Sequence, residues 1–124
     1  MQMTIKPISG EFSVCKVPDY TEADLNAEYC FVGKTDEECS LVCQTADVPE
    51  HVLAREDGWR AFRIEGMLDF SLTGILAEIA GLLAEQKIGI FAVSTYHTDY
   101  ILTKKEWFEE ALEVLARAGH VLLR

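Results

Sequence analysis

Two apolar periodicities alternate over residues 59 to 124, and no other feature restricts the possible folds of this chain so tightly. In Arg60 to Glu65, Phe62 and Ile64 alternate with Arg63 and Glu65, the period-two pattern of a strand with one covered face. Leu72, Ile75, Leu76, Ile79 and Leu83 then follow the 0, 3, 4, 7, 11 spacing of one helix face, and Gly89 supplies a stop. Ile88 to Tyr96 and Tyr100 to Thr103 read as strands joined by a tight Thr98-Asp99 connection. Thr103 with Glu106 forms a capping box ahead of a helix striped by Phe108, Ala111, Leu112 and Leu115. Gly119 ends that helix, and Val121 to Leu123 makes a last strand. The resulting β-α-β-β-α-β order puts two helices on one face of an antiparallel sheet, a ferredoxin-like α+β layer arrangement.

The first half has weaker signals. Phe12 to Val17 reads as a strand, followed by a polar loop with one helical turn from Thr21, aided by Asp24. Tyr29 to Val32 and Cys39 to Thr45 read as an antiparallel pair around a solvated turn at Lys34 to Glu38. After Pro49 a short helix or irregular turn is expected to end at Gly58.

Charge narrows the partners. The chain of 124 residues has a formal net charge of -10, which repels phosphate backbones and anionic headgroups, so neither nucleic acid nor membrane is expected. No apolar run reaches the length of a membrane span and no signal peptide is legible at the N-terminus, so a cytoplasmic location is expected. Cys15, Cys30, Cys39 and Cys43 contain no Cys-x-x-Cys pair and read as buried reduced thiols, with Cys39, Leu41 and Cys43 on one strand face. Neither a metal nor another cofactor is expected, because zinc needs ligands gathered by tight turns and the spacing of a calcium loop is missing.

The segments EFSVCKVP, SLVC at 40–43, GWRAFRIEG at 58–66 and LDFSLTGILAEIAGLLAEQKIGIFAVSTYHTDYIL resemble the ACT domain, the small-molecule regulatory module of aspartate kinases and other enzymes of amino-acid metabolism. More narrowly, the chain is similar to small stand-alone proteins of tandem ACT-like units, whose ligand-binding relatives include animal cytosolic arginine sensors. The resemblance implies a degenerate unit over 1–58, lacking its first helix, and a complete unit over 59–124. It also implies a homodimer and an amino acid or similar metabolite held against the turn Asp69, Phe70, Ser71, Leu72, Thr73, Gly74 and Ile75. The family's strand motif falls on Val93 to Leu102 and includes Ser94, Thr95 and Asp99; the resemblance implies that Asp99 meets a cationic side chain. Backbone groups of Ser40, Leu41 and Val42 are implied as the contribution of a partner unit.

The residues themselves are suited to such a site. Backbone N–H groups around Thr73, Gly74 and Ile75, at a helix N-terminus, favour a carboxylate, and Gly74 lets the main chain approach closely. Asp69 or Asp99 would take an ammonium or a cationic side chain. Plainer readings stand beside these: Asp69 or Ser71 as an N-cap, Asp99 as a turn residue. His97 with Asp99 reads as a polar hairpin tip, His51 and His120 as surface or boundary residues, and Trp59 and Trp107 as covers of the core edge. No nucleophile, metal set or phosphate loop is legible, so catalysis is not expected; the resemblance implies a sensor acting on an unidentified protein partner. The alternative is a structural dimerisation or protein-interaction module with a vestigial pocket.

Overall fold

The computed structural model describes residues 2–66 and 74–124. Two compact units divide the chain: Gly10–Trp59, and a second made of Met1–Ser9 together with Arg60–Arg124. In this division residues 1 to 9 go with the second half. Among the described residues the strands run in the order β1 (Thr4–Val17), β2 (Cys30–Lys34), β3 (Cys39–Gln44), β4 (Ala54–Ile64), β5 (Phe91–Ser94), β6 (Asp99–Lys104) and β7 (Val121–Leu122), with helices α1 (Ile75–Glu85) and α2 (Lys105–Arg117). The long strands β1 and β4 each give one end to each unit.

In the unit that holds the C-terminal half, the strands lie in the order β7-β1-β4-β6-β5. Alternation along each strand puts Met3 and Ile5 of β1 and its approach, Phe62 and Ile64 of β4 and Ile101 of β6 into one apolar cluster. Ile75, Ile79 and Leu83 of α1 join it, with Phe108, Ala111, Leu112 and Leu115 of α2. Both helices thus cover the same sheet face, and each large side chain so buried contributes roughly 1.5–3 kcal/mol. The final strand departs from expectation. It pairs in parallel with β1, through Thr4 with Val121 and Ile5 with Leu122, and β1 stands between it and β4.

Helix ends depart from the sequence signals as well. Thr103 is fully buried in β6, and its hydroxyl reaches only the Lys104 carbonyl, so no capping box forms and Lys104 caps α2 without a side-chain bond. Gly89 does not stop α1. The helix closes at Lys87, whose φ of 60° puts it in the left-handed region, with Lys87 N–H donating to Ala84 and Ile88 N–H to Leu83. Gly119 closes α2 as expected, and the same pair of bonds runs from Gly119 and His120 to Ala116 and Leu115.

The Gly10–Trp59 unit orders its strands β2-β3-β1. β2 and β3 pair antiparallel from Cys30 opposite Cys43 to Lys34 opposite Cys39, around a turn in which the Thr35 hydroxyl accepts the Glu37 and Glu38 N–H groups. Cys15, Val17, Leu41 and Cys43 form its small core, with Cys30 and Cys39 packed against it, so all four thiols gather at one face and are reduced. The stretch after Tyr20 makes turns, not a helix: Asp19 accepts from Thr21, and Asp24 from Asn26. Instead of a helix after Pro49, a 3-10 turn precedes it at Thr45–Asp47, and β4 runs straight through Gly58, whose φ is 85°.

Candidate functional site

The β5–β6 hairpin ends in a short, heavily bonded turn. Thr95 N–H donates to the Thr98 carbonyl at 2.8 Å, and the Thr95 hydroxyl donates to the same oxygen at 3.0 Å. Ser94 and Asp99 face each other across the hairpin, and the Ser94 hydroxyl donates to Asp99 Oδ1 at 2.5 Å. Asp99 is therefore already oriented by a neighbour. Thr98 turns inward. It is only 7% exposed, and its hydroxyl donates to the Ile64 carbonyl at 2.7 Å, tying the hairpin tip to the end of β4.

That tie builds one wall of a hollow of about 250 Å³ lined by Arg63, Glu65, Gly66, His97 and Thr98. Arg63 and Glu65 project from the β4 face opposite Phe62 and Ile64, which the helices cover. Arg63 Nη2 lies 3.4 Å from Glu65 Oε1, and its Nη1 donates to the Tyr100 hydroxyl at 3.2 Å. The guanidinium also sits 5.9 Å from the Tyr100 ring centroid. Lys6 Nζ approaches Glu65 Oε2 at 3.9 Å. Gly66 has a φ of 97° and open space where a Cβ would stand, so the backbone is approachable there.

The sequence-predicted positions separate into three groups. Ser94, Thr95 and Asp99 meet at the hairpin end, as just described. Gly74 and Ile75 start α1, with Gly74 as its left-handed N-cap at φ 82° and Ile75 buried. Asp69, Phe70, Ser71 and Thr73, with Leu72, lie outside the described residues. Ser40, Leu41 and Val42 belong to the other unit, within β3, where each has ladder partners in both β1 and β2. Sequence reasoning overlooked Arg63, Glu65, Gly66 and Thr98, although the alternation in β4 put Arg63 and Glu65 on the uncovered face.

Two other titratable clusters have settled partners. In the Gly10–Trp59 unit a hollow of about 370 Å³ is lined by Pro18, Asp19, Thr21, Glu22, Pro49 and His51. There Glu22 accepts both the His51 N–H and, at 2.7 Å, its Nδ1, which holds the Glu22 carboxyl below its ordinary range. Burial pushes the Cys43 thiol up to about 12, far from the reactive thiolate. His120, expected near the surface, is buried: Nδ1 accepts the Met3 N–H at 3.0 Å and Nε2 lies 3.0 Å from Glu78. Trp107, expected to cover the core edge, is 51% exposed. Among the described residues no group of three or more His, Cys, Asp or Glu side chains is arranged to hold a metal ion, and no helix is long and apolar enough to cross a membrane.

An α+β unit with two helices on one sheet face and a polar hollow at the strand ends is an architecture shared by domains of many functions. The model of the ACT domain family matches residues 54–117, more than half of the chain, and the chain belongs to that family. The cytosolic arginine sensor for mTORC1 subunit 1 from Bos taurus and from Homo sapiens is 40% identical over 60 residues, which cover 48% of this chain and 18% of the sensor. The chain thus spans less than a fifth of the length of those curated relatives. The crystal structure of an Agobacterium tumefaciens protein is similar at a TM-score of 0.87 and 30% identity, covering 99% of this chain and 93% of the other. The regulatory subunit of aspartate kinase from Thermus thermophilus, in ligand-free form, shares the fold alone: TM-score 0.63, 10% identity, 93% and 96% covered.

Proposed function

We propose that this protein is a non-catalytic regulatory sensor of the ACT type that binds an amino acid or a similar small metabolite. The family match over 54–117, which includes both the end of β4 and the β5–β6 hairpin, carries the reading. The polar hollow at the end of β4 supports it, since small-molecule sites are concave with a few convergent polar groups. The relatives named as arginine sensors favour an amino-acid ligand class, and on the family resemblance Asp99 is the acid that meets a cationic side chain.

On this reading the chain is a cytoplasmic homodimer of tandem ACT-like units of ferredoxin-like fold, a degenerate one over 1–58 and a complete one over 59–124, that passes its occupancy to a protein partner. A ligand acts by binding one arrangement of the protein more tightly than another, and its effect cannot exceed that difference in affinity. A thermal-shift screen of the purified chain against the twenty amino acids at millimolar concentration tests the proposal. Ligand at about 100 times its dissociation constant adds roughly 2.7 kcal/mol, a shift of several degrees for a chain of this size. One selective hit is the expected result. No shift from any amino acid would overturn the reading and leave a structural dimerisation or protein-interaction module with a vestigial pocket.

A further inference from the structure

We infer that the α-ammonium and α-carboxylate of the ligand are recognised by the Glu65 and Arg63 side chains of β4, so that the hollow beside the hairpin is a receptor for the zwitterion itself. The inference rests on the amino-acid reading above and adds the groups that select for both charges at once.

Three observations carry it. Arg63 and Glu65 are two residues apart on one face of a strand, about 6.7 Å between their Cα atoms, so the two side chains present opposite charges side by side to the same hollow. An α-amino acid presents the complementary pair, carboxylate and ammonium, on a single carbon; laid antiparallel over Arg63 and Glu65, it closes a ring of four alternating charges. Arg63 is held in place before any ligand arrives: its Nη1 donates to the Tyr100 hydroxyl, Nη2 lies 3.4 Å from Glu65, and the Tyr100 ring centroid is 5.9 Å from the guanidinium. A guanidinium carries five N–H donors in a planar fork, the geometry that holds a carboxylate through parallel bonds. Prior fixing of the receptor lowers the ordering that binding demands.

The walls define what else fits. Thr98 pins the hairpin tip to the Ile64 carbonyl, and Gly66 leaves the space before its backbone clear, so the α-carbon can lie against main chain. His97 stands at the exposed rim beside Tyr96, their rings in an edge contact at 5.6 Å, where a ligand side chain would leave the hollow. At about 250 Å³ the space lies just below the range of roughly 300–1,000 Å³ usual for drug-sized ligands and is large enough for one amino acid.

Isothermal titration of the full chain tests this, using the amino acid that gives the largest thermal shift, its decarboxylated amine and its N-acetyl derivative. For the wild-type chain the amine and the N-acetyl derivative should each bind at least tenfold more weakly than the amino acid. Arg63→Gln should weaken the amino acid at least tenfold and leave the amine unchanged; Glu65→Gln should do the same for the amino acid and leave the N-acetyl derivative unchanged. A merely structural role would weaken all three ligands alike. Wild-type affinity for the amino acid in both variants, or an amine that binds the wild-type chain as tightly as the amino acid, would overturn the inference and leave the sensor reading standing. If no amino acid binds the wild-type chain, both fall. Melting curves show whether each variant folds, and the two analogues on the wild-type chain decide the matter even where one does not.

Discussion

Replacing Thr98 by Val tests whether the hairpin tip is held by the single buried hydroxyl described above. The substitution keeps the branched shape and removes the donor, leaving the Ile64 carbonyl without a bond that is 2.7 Å long and buried. A net hydrogen bond contributes about 1 kcal/mol, and a buried acceptor left unpaired raises the loss towards 3 kcal/mol. The methyl that replaces the hydroxyl returns up to about 0.8 kcal/mol of apolar burial. The net expectation is a loss of about 1–2 kcal/mol. Urea unfolding should show a lower midpoint at unchanged slope, and the melting temperature should fall by roughly 3–6 °C per kcal/mol. Thr103→Val is the matched control. Thr103 is equally buried, but its hydroxyl reaches only the adjacent Lys104 carbonyl at 3.3 Å, so its loss should be near zero. Equal stability of Thr98→Val and the wild type, or equal losses at the two sites, would refute the claim that Thr98 ties the hairpin to β4.

Two further outcomes follow from the backbone and from the thiols. Lys87→Gly should raise stability by about 0.5–1 kcal/mol despite removing a helix-favouring residue, because Lys87 occupies the left-handed position that ends α1; an unchanged or lower denaturation midpoint would count against this. Because the Cys43 thiol is pushed from 9.0 to about 12 by burial, the folded state holds its proton where the unfolded state loses it. Its stabilising contribution is full below pH 9 and declines by at most roughly 1.4 kcal/mol per pH unit between 9 and 12; Cys43→Ala should flatten that alkaline limb in unfolding experiments run from pH 8 to 11.

The helix stripes and the β4 alternation were legible because each burial pattern is local: Phe62 and Ile64, or Phe108 to Leu115, declare their faces within one element. The extent of β1 was not. Only Phe12 to Val17 read as a strand, yet β1 begins at Thr4; Pro7 and Gly10 fall between the stretch that pairs with β7 and the stretch that pairs with β3, where a ladder bond can be missing and a positive φ tolerated. The partners of Thr4 lie more than a hundred residues away, and no local pattern encodes them. Capping signals misled for a similar reason. Thr103 matches a cap in sequence, but the strand buries it, and tertiary packing overrides the local preference. His120 follows a helix-ending glycine, a position that usually faces solvent; only the arrival of Met3 and Glu78 makes it an interior hub. At the candidate site Asp99 and Ser94 were visible through the family's strand motif. Arg63 and Glu65 were visible only as a polar face, and their pairing with Tyr100 and the hairpin tip appeared once β4 and β6 lay side by side.

The placement of β1 between β7 and β4 sets a timetable for synthesis. Met3 and Ile5 leave the ribosome more than a hundred residues ahead of the strand against which Thr4 and Ile5 lie. Gly10–Trp59 can collapse early on its own contacts, whereas the unit bearing the candidate pocket closes only when Val121 and Leu122 have been made. Until then the nascent chain carries β1 with one side unoccupied, a segment for chaperones to shield. The same interleaving means that a fragment begun at Arg60 would lack the strand joining its first and last, so expression of the second half alone is a poor route to the pocket.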